Sequence, residues 1–134
     1  RPTAARFGLR SLYLADNLIC EDHDGSGTLD DLVARTQDAI LINCLWYIRE
    51  VDPQNLLLTG LTRDGVYRVR DGQLVAALPN FRFNVAVTDV LARIVDASQP
   101  TNCLPREWAD WFTRTRMPAL LVDGFNLSSV SEAL

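Results

Sequence analysis

Asp22, Asp24, Ser26 and Asp30 stand in the run Asp22-His23-Asp24-Gly25-Ser26-Gly27-Thr28-Leu29-Asp30. That spacing places oxygen-bearing side chains at positions 1, 3, 5 and 9 of an EF-hand calcium loop, with Gly27 at position 6 and Leu29 at position 8. Position 12, where such a loop needs a glutamate giving two oxygens, is Val33. The run therefore reads as an acidic turn leading into a capped helix, and a calcium-binding module over 22–33 is the alternative. His23 is the sole histidine. A hydrolytic zinc site needs two or three nitrogen ligands, so the chain cannot build one from its own histidines. A Ser–His or Cys–His pair would have to use His23 inside the acidic loop, and it reads instead as a solvated surface residue. No catalytic residue is assigned. Cys20, Cys44 and Cys103 are odd in number and widely spaced, with no Cys-x-x-Cys pair. They read as reduced thiols of a cytoplasmic protein. Trp108, Trp111 and Phe112, at i, i+3 and i+4, offer an aromatic cluster for core or interface packing.

The elements that must position these residues are mostly strands. Residues 1–8 read as a tail or linker remnant, and 9–134 as one β-rich domain. Leu9 to Ala15 predicts a strand. Thr28 is a good N-cap, with Asp30 and Asp31 in the first turn and Leu29, Leu32 and Val33 on one face, so a helix runs to about Thr36. From Ala39 to Val51 β-branched and aromatic residues predict a long strand, broken at Asp52-Pro53. Trp46 and Tyr47 then point to opposite faces. Leu56 to Thr62 predicts a second strand, Arg63-Asp64-Gly65 a turn, and Val66 to Arg70 a third strand. Asp71-Gly72 is the strongest hairpin signal, because both centres of a type I′ turn need positive φ. Gln73 to Leu78 returns as a fourth strand, and Phe81 to Phe83 adds a short one. Asn84 or Thr88 caps a second helix carrying Val87, Val90, Leu91 and Ile94 on one face. Ala97 to Pro105 reads as a polar loop, Glu107 to Thr113 as a helical turn, and Met117 to Ser128 as a final strand broken by Gly124. The expected class is α+β, dominated by an antiparallel, meander or barrel-like sheet with two short helices.

Composition bounds the function. The 134 residues suffice for one core, and 48% hydrophobic with 22% charged residues is ordinary for a globular domain. The net charge is −4 and the 13 basic residues, all arginine, are scattered. Nucleic-acid surfaces concentrate basic charge, so DNA and RNA are not expected partners. The apolar stretch from Phe7 to Leu18 is broken by Arg10, Asp16 and Asn17, and is neither a signal peptide nor a membrane span.

Several segments together resemble a known family. Leu58-Thr59-Gly60-Leu61-Thr62-Arg63-Asp64-Gly65, the hairpin at Asp71-Gly72, and Asn80-Phe81-Arg82-Phe83-Asn84 are similar to the C-terminal domain of the TldD/PmbA family. Cys44-Leu45-Trp46-Tyr47-Ile48-Arg49-Glu50-Val51-Asp52-Pro53 and Phe125-Asn126-Leu127-Ser128-Ser129-Val130 resemble its PmbA, or TldE-like, branch. The resemblance runs from about Leu14 to the end. Members were long labelled modulators of DNA gyrase and are regarded as metallopeptidases. The resemblance implies a parent protein roughly three times longer. It also implies that TldD-like members hold a metal, zinc or iron, with an upstream His-Glu-x-x-x-His helix and a cysteine of this domain. PmbA-like members lack the histidine motif and pair with a TldD-like subunit. Cys103 falls near that cysteine and is the one metal-ligand candidate, although its setting, Cys103-Leu104-Pro105-Arg106-Glu107, is not glycine-rich. The expected role is a structural and interface domain of a peptidase subunit, not catalytic alone and holding no cofactor of its own. Its expected partners are a TldD-like subunit or a second copy, with peptide as substrate. Strand addition at a sheet edge is one way such a domain could hold peptide. A protein-interaction domain outside any peptidase is the remaining alternative.

Overall fold

The computed structural model describes residues 17–19, 25–103 and 114–131. In chain order the elements are β1 (Asn17–Ile19), α1 (Leu29–Ala34), β2 (Asp38–Asp52), β3 (Leu57–Arg70), β4 (Gln73–Ala77), β5 (Asn80–Ala86), α2 (Val87–Ala92), β6 (Ile94–Ala97), β7 (Thr101–Cys103), β8 (Arg114–Met117), β9 (Leu120–Val122) and β10 (Leu127–Ser131). The chain is α+β and β-rich, with two short helices among the described residues.

The main sheet has five strands. Its order is β10-β5-β3-β2, with β4 also paired to β3, and every pairing is antiparallel. β2, β3 and β4 form the expected meander. β5 departs from it: rather than lying beside β4, it returns to the other half of β3, pairing Leu57–Leu61 with Arg82–Ala86. One edge of β3 thus serves two neighbours. At the fork, the hydroxyl of the buried Thr62 accepts a hydrogen bond from the Phe81 amide at 2.8 Å, and the Leu78 amide donates to the Val66 carbonyl at 2.8 Å. β2 and β10 are the two ends of the ordered sheet, which does not close into a barrel among the described residues.

The predicted turn at Arg63-Asp64-Gly65 is instead a bulge within the continuous β3. Cys44 pairs with Arg63 and Ile42 with Val66, leaving two residues of β3 opposite Asn43. Asp64 at φ 57° and Gly65 at φ 121° absorb the extra length. The Asp-Gly pair supplies the positive φ that a bulge and a turn both require. The hairpin at Asp71-Gly72 is as expected, with φ of 49° and 76° at its two centres.

The helix N-cap also agrees. The Thr28 hydroxyl accepts from the Asp31 amide at 3.2 Å, while the Asp31 carboxylate accepts from the Thr28 amide at 2.7 Å. This reciprocal capping box starts α1, which ends at Ala34. Neither predicted cap starts α2. Asn84 lies in β5, and its side chain donates to the Ser128 hydroxyl at 3.2 Å; Ala86 occupies the N-cap position without a side-chain bond. The stretch read as one final strand is divided among three sheets. β8 joins β1 and β7, β9 pairs with β6, and β10 closes on β5. The expected polar loop over 97–105 contains β7. The predicted tail at 1–8, the strand at 9–15 and the aromatic turn at 107–113 lie outside the described residues.

The core is small. Val66, Val69 and Phe83 of the main sheet are buried, with Leu32 of α1 and Ala97 of β6. Phe83 packs on Phe125 with ring centroids 5.6 Å apart and planes tilted by 52°.

Candidate functional site

An open groove of about 700 Å³ lies beside the core among the described residues. Residues of α1, the first half of β2 and β9 line it, with Val69 of β3, Val90 of α2 and Val95 of β6. Leu32, Leu41, Leu45, Val69, Leu121 and Phe125 are among its aliphatic and aromatic lining residues, while Asp38 and Asp123 are its charged ones. Its size falls within the range of ligand pockets. Its chemistry is that of a seat for apolar side chains.

Arg35, just after α1, fixes the walls of this groove. Its Nε donates to Asp96 at 2.6 Å and its NH2 to the other Asp96 oxygen at 3.0 Å, a bidentate pair. The same NH2 group lies 3.2 Å from both the Ser26 and Ala97 carbonyls. One guanidinium therefore ties the end of α1 to β6, and β6 carries β9. The hydrogen bond from Arg35 holds the Asp96 carboxyl below the usual aspartate range, and Asp96 in turn raises Arg35. Asp31 is lowered mainly by the Thr28 amide, and Asp52 mainly by the Asn55 side chain in the turn after β2.

These lowered values set a pH dependence. A carboxyl whose folded pKa lies below its unfolded value of about 3.9 stabilises the fold fully above that value, and the contribution is lost as pH falls through the folded pKa. Asp96→Asn is therefore expected to lower Tm at pH 7, with the gap to the unmodified chain closing below about pH 4. Thermal unfolding across a pH series checks this; a gap of constant size down to pH 2 would contradict it.

Of the residues that sequence reasoning singled out, Ser26, Asp30, Cys44 and Cys103 are among those described. Cys103 is exposed at the end of β7, and its Sγ lies 3.7 Å from the Thr115 carbonyl of β8. No group of three histidine, cysteine or acidic residues that could hold a metal occurs among the described residues. A single thiol such as Cys103 would be one of the four ligands that zinc takes. Asp22, His23, Asp24, Cys20, Trp108, Trp111 and Phe112 lie outside the described residues. Of the calcium-loop residues that are described, Ser26 has its carbonyl engaged by the Arg35 cation, and Asp30 and Val33 lie in α1. A guanidinium beside the loop opposes a second cation there.

One feature escaped the sequence. Tyr47 sits at φ 54° in the middle of β2, where the register shifts between Trp46 and Arg49. The Arg49 guanidinium lies 4.2 Å from the Tyr47 ring centroid, and Arg63 lies 5.0 Å from that of Trp46. An aromatic residue with positive φ costs of order 1–3 kcal/mol. Alternating hydrophobicity gives no signal for it, since the bulge depends on how β3 pairs opposite.

Comparison with known proteins agrees with this architecture. The crystal structure of TldE from Thermococcus kodakarensis matches with a TM-score of 0.59 at 14% identity, over 81% of this chain and 23% of that one. The chain thus spans about a quarter of the length of that structure. A search of curated proteins gives no match. The family model described as the PmbA/TldA metallopeptidase C-terminal domain matches residues 3–129. With nearly its whole length inside that match, the chain belongs to the PmbA/TldD metallopeptidase C-terminal domain family.

Proposed function

We propose that this chain is the C-terminal domain of a TldE-like subunit of a PmbA/TldD-type metallopeptidase, acting in peptide proteolysis as a structural and interface domain. The observation that carries the reading is the retained TldE fold over 81% of the chain. The open aliphatic groove among the described residues accords with it, because apolar surface of that kind is where proteins pack against one another. Its partner is a TldD-like subunit, with self-association as the other arrangement, and its substrate is peptide. The partner carries the metal, zinc or iron, which supplies Lewis-acid and water-activating chemistry. Cys103 contributes at most one ligand, so no hydrolytic step is assigned to this chain's own residues. Reduced cysteines fit a cytoplasmic location, and no helix among the described residues is long and apolar enough to cross a membrane.

Two measurements test the reading. The full-length subunit should co-purify with a TldD-like protein, and the pair should cleave unfolded peptides only when both are present. EDTA should abolish that cleavage while moving the Tm of this subunit by less than about 2 °C, well below the shift that loss of a structural metal would cause. Peptidase activity from this subunit alone, or a collapse of its Tm with EDTA, would overturn the proposal.

A further inference from the structure

The sequence holds four Asp-Gly pairs, at 24–25, 64–65, 71–72 and 123–124. Such a pair is chemically labile in unfolded chain. The glycine nitrogen, with no side chain beside it, can reach the aspartate side-chain carboxyl and close a five-membered ring. Within a fold the same reaction needs a glycine amide that is not held in a hydrogen bond and a backbone that can turn locally. Three of the pairs are described whole, and the fold treats them differently. At the hairpin tip, the Gly72 amide donates to the Thr36 carbonyl at 2.9 Å and the Asp71 amide to the Gln37 carbonyl at 2.7 Å. The pair at 64–65 lies inside β3, where the Asn43 side chain donates to the Asp64 carbonyl at 3.4 Å and Arg63 pairs with the Asp64 carboxylate at 3.7 Å. A Cβ on Gly65 would stand 2.8 Å from the Tyr67 ring, so that backbone has little room to turn. Asp123 and Gly124 lie in the turn between β9 and β10, and both are exposed. The Asp123 amide donates to the Arg93 carbonyl at 2.9 Å, and the Gly124 carbonyl accepts from Arg93 Nη1 at 3.4 Å. The Gly124 amide, which is the attacking group, donates to no described residue. Apart from its chain neighbours, the tip of the Arg93 side chain is the only described group within 4 Å of where a Cβ on Gly124 would stand.

We propose that Asp123-Gly124 is a site of spontaneous isoaspartate formation in the folded protein, while the fold protects Asp64-Gly65 and Asp71-Gly72. The Gly124 nitrogen attacks the Asp123 side-chain carboxyl carbon. A C–N bond forms, the carboxyl C–O bond breaks, and the hydroxyl leaves with the amide proton as water, closing a succinimide. A second water then opens the ring. Where it adds to the side-chain carbonyl, aspartate is restored. Where it adds to the main-chain carbonyl, the original peptide bond breaks and the chain continues through the side-chain carbon as isoaspartate. One water is lost and one is gained, so mass is unchanged and no oxidant or cofactor takes part. The product carries one extra methylene in the main chain and a free α-carboxylate. It falls at the link that spaces β9 from β10, beside the two bonds made by Arg93. Because all of these pairs share one dipeptide, the difference among them comes from the fold rather than from sequence.

Incubation of the full-length protein near neutral pH in heavy-oxygen water, followed by peptide mapping, tests the proposal. Each first passage through the ring brings one solvent oxygen into the aspartate, whichever way the ring opens. Peptides containing Asp123 should gain label at least about tenfold faster than those containing Asp64 or Asp71, and isoaspartate should accumulate at 123 alone among the three. In denaturant the three pairs should label at rates within about threefold of one another, since the hydrogen bonds that separate them are gone. Asp123→Glu, which cannot close the five-membered ring, should abolish labelling there and leave the other two peptides unchanged. Equal rates for the three pairs in the folded protein would overturn the inference. So would faster labelling at Asp64 or Asp71, or a folded rate at Asp123 as slow as theirs, which would mean that the rest of the protein holds this turn as firmly.

Discussion

Phe83→Ala should destabilise the chain by about 3–5 kcal/mol, a large part of the stability of a domain this size. Phe83 is 1% exposed, the largest fully buried side chain among the described residues. Its β5 backbone pairs with Gly60 of β3, and its ring lies across that glycine. A Cβ on Gly60 would sit 2.5 Å from the ring, so the missing side chain at Gly60 makes the room that Phe83 fills. Removing the ring would leave a cavity bounded by Phe125 and by backbone that cannot close over it. Chemical denaturation should show a lower midpoint with a little-changed slope. A loss below about 1 kcal/mol would mean that the Phe83–Phe125 pair is not the centre of the core.

Gly72→Val is expected to cost about 2–5 kcal/mol, from left-handed backbone strain together with overpacking. Gly72 is at φ 76°, and a Cβ there would lie 2.5 Å from the Ala34 carbonyl oxygen, a backbone atom with no rotamer to escape into. The hairpin tip is bonded to the chain just after α1: the Gly72 amide donates to the Thr36 carbonyl at 2.9 Å, and the Asp71 amide to the Gln37 carbonyl at 2.7 Å. A branched side chain would push the tip off the helix end and release both bonds. The effect should therefore appear twice, as a lowered Tm and as faster hydrogen exchange at residues 71 and 72. Asn at the same position tolerates positive φ better and should cost less than Val. Equal losses for the two would assign the whole effect to the contact with Ala34.

What the sequence made legible was local. Thr28 and Asp31 satisfy each other's backbone groups within four residues, so the start of α1 could be read directly. Asp71-Gly72 and Asp52-Pro53 are likewise written into short stretches, and they fixed the hairpin and the end of β2. The fork of β3 was not readable, because β5 is chosen by Phe83 finding Gly60 across 23 positions rather than by any signal near Pro79. The division of the last 18 described residues among three sheets has the same origin: Arg114, Leu120 and Leu127 open strands whose partners are set by distant edges. Arg35 was overlooked as a site-building residue since its partner, Asp96, is 61 residues away. The family resemblance rested on β3, its hairpin and β5, with Cys44–Pro53 of β2 and Phe125–Val130 leading into β10, strands that together make up most of the main sheet. Cys103, judged from sequence as a metal-ligand candidate, stands alone on its strand among the described residues, and chain position by itself could not reveal what surrounds it.

The order of strands in the main sheet bears on how the protein is made. Among the described residues β10 pairs only with β5, some 46 positions earlier in the chain, and is the last of the sheet's described strands to be synthesised. Until it leaves the ribosome, the edge of β5 carrying Phe81 and Phe83 is open while the β2–β3–β4 hairpins can already form. A nascent chain stalled before Leu127 would thus present a ready pairing edge to its neighbours on a polysome.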